Sequence, residues 1–105
     1  MLVEFDWNII LDNAMTNLGV VTDFALAKAM NLTHAAVAQY RKGTHIPGPE
    51  ACFRLAELTG ANPLAYIAAA EAARARSPQA RRRWLKRAAA LGRKRPGRQR
   101  RQSSR

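Results

Sequence analysis

Hydrogen-bonding and small side chains are interleaved in the stretch THAAVAQYRKGT. In a helix, residues three or four apart share a face, which would group His34, Ala38 and Lys42 with Ala35 and Gln39. An imidazole, an amide and an ammonium in one stripe can bind a partner that offers several hydrogen-bond acceptors. The chemistry that this stretch predicts is therefore recognition.

Catalysis and metal binding are not indicated elsewhere in the sequence. No nucleophile is paired with a base, no phosphate-binding loop is present, and the acidic residues occur singly. The two histidines, His34 and His45, and the single cysteine, Cys52, do not have the spacing of a zinc site. We expect a protein that is not an enzyme and that has no metal, no cofactor and no small-molecule substrate.

The composition and the helix start and stop signals predict an all-α fold. Alanine, the strongest helix former, supplies 21 of the 105 residues, and no alternation typical of strands is present. Each predicted helix starts after a capping or proline signal and ends near a glycine, an asparagine or a second such signal. The predicted helices cover approximately 7–18, 23–30, 34–42, 50–59, 63–75 and 78–91.

Apolar residues at helical spacing predict the core. In the fourth helix the spacing fits either Cys52 or Phe53 as the buried residue. In the sixth helix it predicts a face of Ala80, Trp84, Ala88 and Leu91. The other predicted core residues are Phe5, Trp7, Ile10, Leu11, Ala14, Leu18, Phe24, Leu26, Ala27, Met30, Val37, Tyr40, Ala51, Leu55, Ala56 and Leu58.

The second and third predicted helices meet at a short turn. Ala27 is small enough for the two helices to approach closely, Leu32 is expected to fill the turn, and Asn31 tolerates a left-handed backbone. Val37 and Tyr40 would point from the third helix into the core. This spacing is a helix-turn-helix pattern.

The segment LAKAMNLTHAAVAQYRKG resembles, without gaps, the motif of the Cro-like (Xre-type) helix-turn-helix family of phage repressors and bacterial regulators. The resemblance covers roughly residues 5–75 and also includes Pro47 and the helix EACFRLAELTG. Asn31 stands where the family usually has a turn glycine, and Tyr40 where it usually has tryptophan. The resemblance implies a five-helix, lambda-repressor-like domain in which the third helix enters the major groove of DNA.

Base contacts would then come from the N-terminal part and outward face of the third helix. Gln39 could form two hydrogen bonds with an adenine, and His34 could donate to a guanine acceptor. The full set of expected base contacts is Thr33, His34, Ala35, Ala38 and Gln39. The sequence leaves open that Gln39 and His34 are ordinary solvated surface residues, or that the motif contacts protein instead.

Phosphate contacts are expected from Thr22, Arg41, Lys42 and Thr44. In repressors of the family, the first residue of the second helix contacts phosphate through a side-chain amide. Asp23 occupies that position here, and its negative charge does not suit the role. Thr22, or the N-terminus of the second helix, is expected to replace it.

Positive charge is concentrated at the C-terminal end of the sequence. The whole chain carries a formal charge of +11, but residues 1–70 contain four basic and six acidic residues. Residues 71–105 contain fourteen Lys or Arg and one acid. This split divides the chain into a helix-turn-helix domain (1–76), a basic amphipathic helix (77–91) and a disordered basic tail (92–105).

The basic helix and tail are predicted to act as an arm that follows DNA beside the main site. Its expected DNA contacts are Arg81, Arg82, Lys86, Arg93, Lys94, Arg95 and Arg98. Alternatives that the sequence leaves open are that the tail binds RNA, single-stranded DNA or an acidic protein, or serves only for solubility.

Together these features predict a sequence-specific regulator of transcription that binds double-stranded DNA. We expect a phage or mobile-element repressor that blocks a promoter by occupying it, as a homodimer on a nearly palindromic operator. An exposed tryptophan would be unusual, so Trp84 is expected either to pack on the domain or to form a dimer contact. We expect the dimer, built from the fifth and sixth helices.

Other functional classes remain open at this stage. The same pattern would suit an antitoxin, a recombination accessory factor, or a structural protein that binds nucleic acid without sequence preference. The sequence has neither an apolar run of the roughly 20 residues that a membrane helix needs nor the basic flank of a secretory signal. A cytoplasmic location without membrane contact is expected.

Overall fold

The computed structural model of the protein describes residues 6–93. All regular secondary structure in this range is helical. The helices are α1 (Trp7–Leu18), α2 (Asp23–Ala29), α3 (His34–Lys42), α4 (Pro49–Thr59), α5 (Pro63–Arg74) and α6 (Pro78–Arg93). The predictions for Phe5, Lys94, Arg95, Arg98 and the rest of the tail beyond residue 93 lie outside the described residues.

Short polar side chains start the helices where the sequence predicts. The side chains of Asp6, Thr22 and Thr33 accept hydrogen bonds from backbone N–H groups in the first turns of α1, α2 and α3. Asn62 does the same for α5, which begins with Pro63. Each cap satisfies an N–H that the helix itself leaves without a partner. The all-α prediction and the predicted boundaries are confirmed to within two residues.

The four-residue connection between α2 and α3 depends on a left-handed backbone at Asn31, whose φ is 57°. The amide of Leu32 donates to the carbonyl of Ala27 over 2.8 Å, which closes the connection. Leu32 is partly buried against the main core. The expectation that Asn31 supplies the turn is confirmed.

Substitutions at Asn31 should separate backbone conformation from side-chain chemistry. Asn31→Ala is expected to lower the free energy of unfolding by about 1 kcal/mol, because alanine lacks the short polar side chain through which asparagine tolerates the left-handed region. Asn31→Gly should change stability by less than about 0.5 kcal/mol, since glycine adopts this region freely. Urea unfolding of both variants checks this. Equal stability of the wild type and the alanine variant would contradict it.

The main core lies between α1 and the helices that surround it. Helix α1 packs against α2, α3 and α4, and α2 packs against α3. Leu11, Leu26, Val37 and Leu55 are fully buried there. Since these residues come from α1, α2, α3 and α4 in turn, the core holds α3 firmly on the side opposite to solvent.

The sixth helix is part of the same globule. The resemblance predicts a five-helix domain, but the described chain has six helices, and α6 packs along α5. Leu85 and Ala88 of α6 are buried, and Ala88 lies with Ala68 and Ala69 of α5 in a second small cluster. The helix continues to Arg93, where the sequence predicts an end near residue 91.

Phe24, Phe53 and Trp84 are exposed large apolar residues, and one of them, Phe24, was predicted to lie in the core. Phe24 is 60% exposed, because the short helix α2 buries only Leu26 and Ala27. Phe53 is exposed, and Cys52 takes the core position, which settles the alternative left open by the sequence. Trp84 is 36% exposed, whereas its neighbour Leu85 is buried.

Cys52 behaves as a buried hydrophobe, as predicted. Its thiol Sγ lies 3.7 Å from the carbonyl oxygen of Pro47. Burial raises the pKa of the thiol to about 11, so the nucleophilic thiolate form is suppressed at neutral pH. In the described part of the chain, no helix is both long enough and apolar enough to cross a membrane.

Candidate nucleic-acid interface

Helix α3 has one anchored side and one free side. Val37 is completely buried, and Tyr40 packs against the core from the same side. Burial raises the pKa of the Tyr40 hydroxyl, so the ring stays neutral at physiological pH. Ala27 of α2 is 2% exposed. These contacts fix the orientation of α3, so that its other side is presented to solvent in a defined way.

The free side carries the residues that the sequence predicts for base contact. Thr33, His34 and Ala35 are exposed at the start of α3, while Ala38 and Gln39 are half-buried further along. The structure therefore brings the five residues to one surface. Whether they contact bases stays a prediction.

Three of the four predicted phosphate contacts lie at or near the ends of α2 and α3. Lys42 is exposed in the last turn of α3. The hydroxyl of Thr44 donates to the carbonyl of Gln39 over 3.3 Å. The hydroxyl oxygen of Thr22 accepts from the amide of Ala25 over 3.1 Å. A capping hydroxyl accepts with its oxygen, and its own proton remains available to a phosphate oxygen.

The fourth predicted phosphate contact, Arg41, is occupied inside the protein. Its guanidinium lies 2.8 Å from a carboxylate oxygen of Asp12 and 2.9 Å from one of Asp23. It also donates to the backbone and side-chain oxygens of Asn8, at 3.2 and 3.1 Å. Arg41 thus joins α3 to α1 and to α2, and its donors are already used. The geometry favours a positioning role for Arg41 over the predicted phosphate contact.

Arg41 stays positively charged in this arrangement. Burial by itself would lower the pKa of Arg41, but the hydrogen bonds with Asp23 and Asp12, together with the negative charges of these two residues, raise it. The same contact explains the acid at position 23, which does not suit a phosphate contact. Asp23 is the partner of Arg41 across the α2–α3 pair. An acid at an unexpected position was the only sequence signal of this network.

Phe24, which helical spacing predicts for the core, is a surface residue of this region. Its ring and the ring of His34 lie edge to face, with centroids 6.0 Å apart and planes at 81°. This is within the range of favourable aromatic pairs. Phe24 therefore restricts the orientation of His34 at the N-terminal end of α3.

The predicted basic arm is, in its helical part, a docked element of the fold. Arg82 and Lys86 are exposed on α6, together with Arg83 and Arg87, which are not among the predicted DNA contacts. Arg81 lines a cavity of about 130 Å³ with residues of α1 and α5. Arg93 is the last residue of α6. Because α6 packs along α5, the segments on either side of the predicted domain boundary at residue 77 belong to one globule.

Within the described range, no three His, Cys, Asp or Glu side chains are grouped in a way that could hold a metal ion. Comparison with known family models, with curated proteins and with solved structures found no match for this chain, so the resemblance to the Cro-like family stays a prediction.

Proposed function

We propose that the protein regulates transcription by binding double-stranded DNA in a sequence-specific way, with α3 in the major groove. The observation that carries the proposal is the two-sided character of α3. One side is locked to the core by Val37 and Tyr40. The other side presents hydrogen-bonding and small residues, and α3 has no acidic residue that would repel phosphates.

The side chains on the free surface suit base edges. The amide of Gln39 has the donor and acceptor pattern that matches the major-groove edge of adenine. The small side chains of Ala35 and Ala38 leave room for the helix to lie deep in the groove, or contact a thymine methyl. His34, held beside Phe24, would face a base near the start of α3.

Phosphate contacts on both sides of the groove would fix the helix in register. Lys42 is exposed near the C-terminal end of α3, and Thr22 is exposed at the N-terminal end of α2. Arg41 is left out of this set because its guanidinium is bonded to Asp12 and Asp23.

The proposed mode of action is occlusion by a homodimer. A dimer would carry two copies of α3 about 34 Å apart and would require a nearly palindromic operator. Leu64 and Trp84 are exposed large apolar residues of α5 and α6, and they are the proposed dimer contacts. The resemblance of residues 5–75 to phage repressors supports the narrower proposal of a phage or mobile-element repressor.

Selection of duplexes from a random DNA library by the full-length protein tests the proposed function. At physiological salt we expect an inverted repeat whose half-sites are about one helical turn apart. Enrichment of a single half-site would support recognition by α3 and contradict the dimer. Binding without any enriched motif would contradict sequence-specific recognition and favour a protein that binds nucleic acid through charge alone.

Removal of the Phe24 ring should weaken recognition through His34. Phe24→Ala is expected to reduce affinity for the selected duplex by about 2- to 13-fold per half-site, since an aromatic pair contributes about 0.5–1.5 kcal/mol. The base preference nearest to His34 should become weaker. Phe53→Ala is the matched control, because Phe53 is exposed on α4, which does not pack against α3. Equal losses in both variants would contradict a role of Phe24 in recognition.

A further inference from the structure

Four cations form a continuous surface on α6, which we call the α6 cationic face: Arg82, Arg83, Lys86 and Arg87. All four are exposed. Arg82 and Lys86 are one turn apart, as are Arg83 and Arg87, so the four side chains form two adjacent rows. Helix α6 contains no acidic residue, and across residues 6–92 none of the four side chains forms an ion pair.

This arrangement is unfavourable for the isolated protein. Like charges four residues apart destabilise a helix by about 0.2–0.5 kcal/mol per pair, and α6 has two such pairs. Arg82 and Arg83 also follow a first turn that has no acid to balance the positive end of the helix dipole. A surface that served only for solubility could mix both signs of charge at no such cost. The α6 cationic face therefore indicates a polyanionic partner.

The burial of α6 decides between the two common polyanionic partners. A basic helix that binds a lipid surface must insert its apolar face into the membrane. In α6 the apolar face is already packed inside the protein, because Leu85 and Ala88 are buried and Ala88 packs against α5. Of its large apolar side chains, Trp84 is exposed, at 36%, and Leu91 is partly buried. A phosphate backbone needs no apolar face, which makes a nucleic-acid duplex the better fit.

The α6 cationic face is separate from the surface of α3. In the described part of the chain, α6 packs against α5 and near Trp7 of α1, whereas α3 packs against α1 and α2. We propose that this face is a second nucleic-acid site, which binds the phosphate backbone of a duplex independently of base sequence. The site would supply affinity that the near-neutral body of the fold lacks, since residues 1–70 have more acids than bases.

The salt dependence of binding tests this proposal in the full-length protein. The probe is a fluorescent 30-base-pair DNA duplex of random sequence, titrated between about 50 and 200 mM salt. Each phosphate contact contributes about 0.9 to the slope of log K against log salt. The double variant R83Q/R87Q should therefore reduce the slope by about two units. R83K/R87K keeps both charges and should restore it.

The matched control is K28Q/R54Q, which removes two positive charges from α2 and α4 and has the same net charge as R83Q/R87Q. Its slope should stay within about half a unit of the wild-type slope. Equal slopes in the wild type and R83Q/R87Q, or equal reductions in R83Q/R87Q and the control, would overturn the proposal. So would a loss of binding to phosphatidylserine vesicles in R83Q/R87Q with unchanged duplex binding, which would assign the face to a membrane.

The proposal does not depend on recognition by α3, and the two can fail separately. A library selection without a motif, combined with a reduced slope in R83Q/R87Q, would contradict the proposed function and support the second site. An enriched motif with an unchanged slope would support the proposed function and contradict the second site. Circular dichroism is the folding check. Since the substitutions remove a like-charge pair, the helical content of R83Q/R87Q should not fall.

Discussion

Replacing Gln39 by alanine should reduce affinity for the selected duplex by roughly 5- to 150-fold per half-site, which corresponds to about 1–3 kcal/mol for one bidentate contact with a base. Gln39 is half-buried on α3, so its side chain loses less freedom on binding than a fully exposed one. Within residues 6–92 its amide makes no side-chain hydrogen bond to the protein, so the substitution should leave the fold intact. Affinity for a duplex of random sequence should not change.

The matched control for this prediction is Gln79→Ala, which removes the same amide from an exposed position in the first turn of α6. Binding by fluorescence anisotropy to the selected duplex, and to duplexes with single base changes, would measure both variants. We expect Gln39→Ala to abolish discrimination at one base pair per half-site and Gln79→Ala to preserve it. Equal affinities of wild type and Gln39→Ala would remove Gln39 from the proposed site.

The second large effect is expected on stability, at Arg41. Arg41→Ala should lower the free energy of unfolding by about 2 kcal/mol, because it removes charge-assisted hydrogen bonds that join α3 to α1 and α2. This loss is smaller than the roughly 3–5 kcal/mol expected when a buried ion pair is broken, because the side chain of Asp12 is 64% exposed and water can solvate it. Asp23, whose side chain is 30% exposed, would lose its main partner.

Two further variants show whether the geometry of Arg41 matters. Arg41→Lys should recover only part of the loss, because one ammonium cannot reproduce the planar fork that spans Asp12 and Asp23. Arg54→Ala is the control, since its pair with Glu50 is an exposed contact one turn apart in α4 and should contribute less than about 0.5 kcal/mol. Urea unfolding measures all three. Similar losses for Arg41→Ala and Arg54→Ala would show that Arg41 does not position α3.

Local signals in the sequence were sufficient for the helices of the fold. Thr33 caps α3 and Gly43 ends it, and both follow from the side-chain chemistry of a few neighbouring residues. The burial of Val37 follows from helical spacing. The same spacing places the proposed base contacts on the opposite side of α3, so most of the candidate site could be predicted before the structure.

Ambiguous spacing explains why the burial of Leu85 in α6 was not predicted. Trp84 and Leu91 form a helical face with Ala88, but Arg81 and Leu85 form another face that includes the same alanine. Periodicity cannot choose between two faces that share a residue. The choice depends on which face meets α5, and the structure buries Leu85 rather than Trp84.

Tertiary pairing explains what was missed around Arg41. A basic residue near the end of the proposed recognition helix suggests a phosphate contact, because the sequence does not reveal its partners. Asp23 and Asp12 are 18 and 29 positions away in the chain, and only the packing of α1 and α2 against α3 brings them to the guanidinium. The position of the Phe24 ring beside His34 has the same origin.

The most direct test of recognition by α3 is an NMR titration of the full-length protein with the selected duplex. We expect the largest amide shift changes in residues 33–39, and contacts between the side-chain amide of Gln39 and a base. A duplex of random sequence should instead shift mainly the amides of α6. Shift changes confined to α6 with both duplexes would contradict the central claim, because α3 would then be an ordinary helix of the fold.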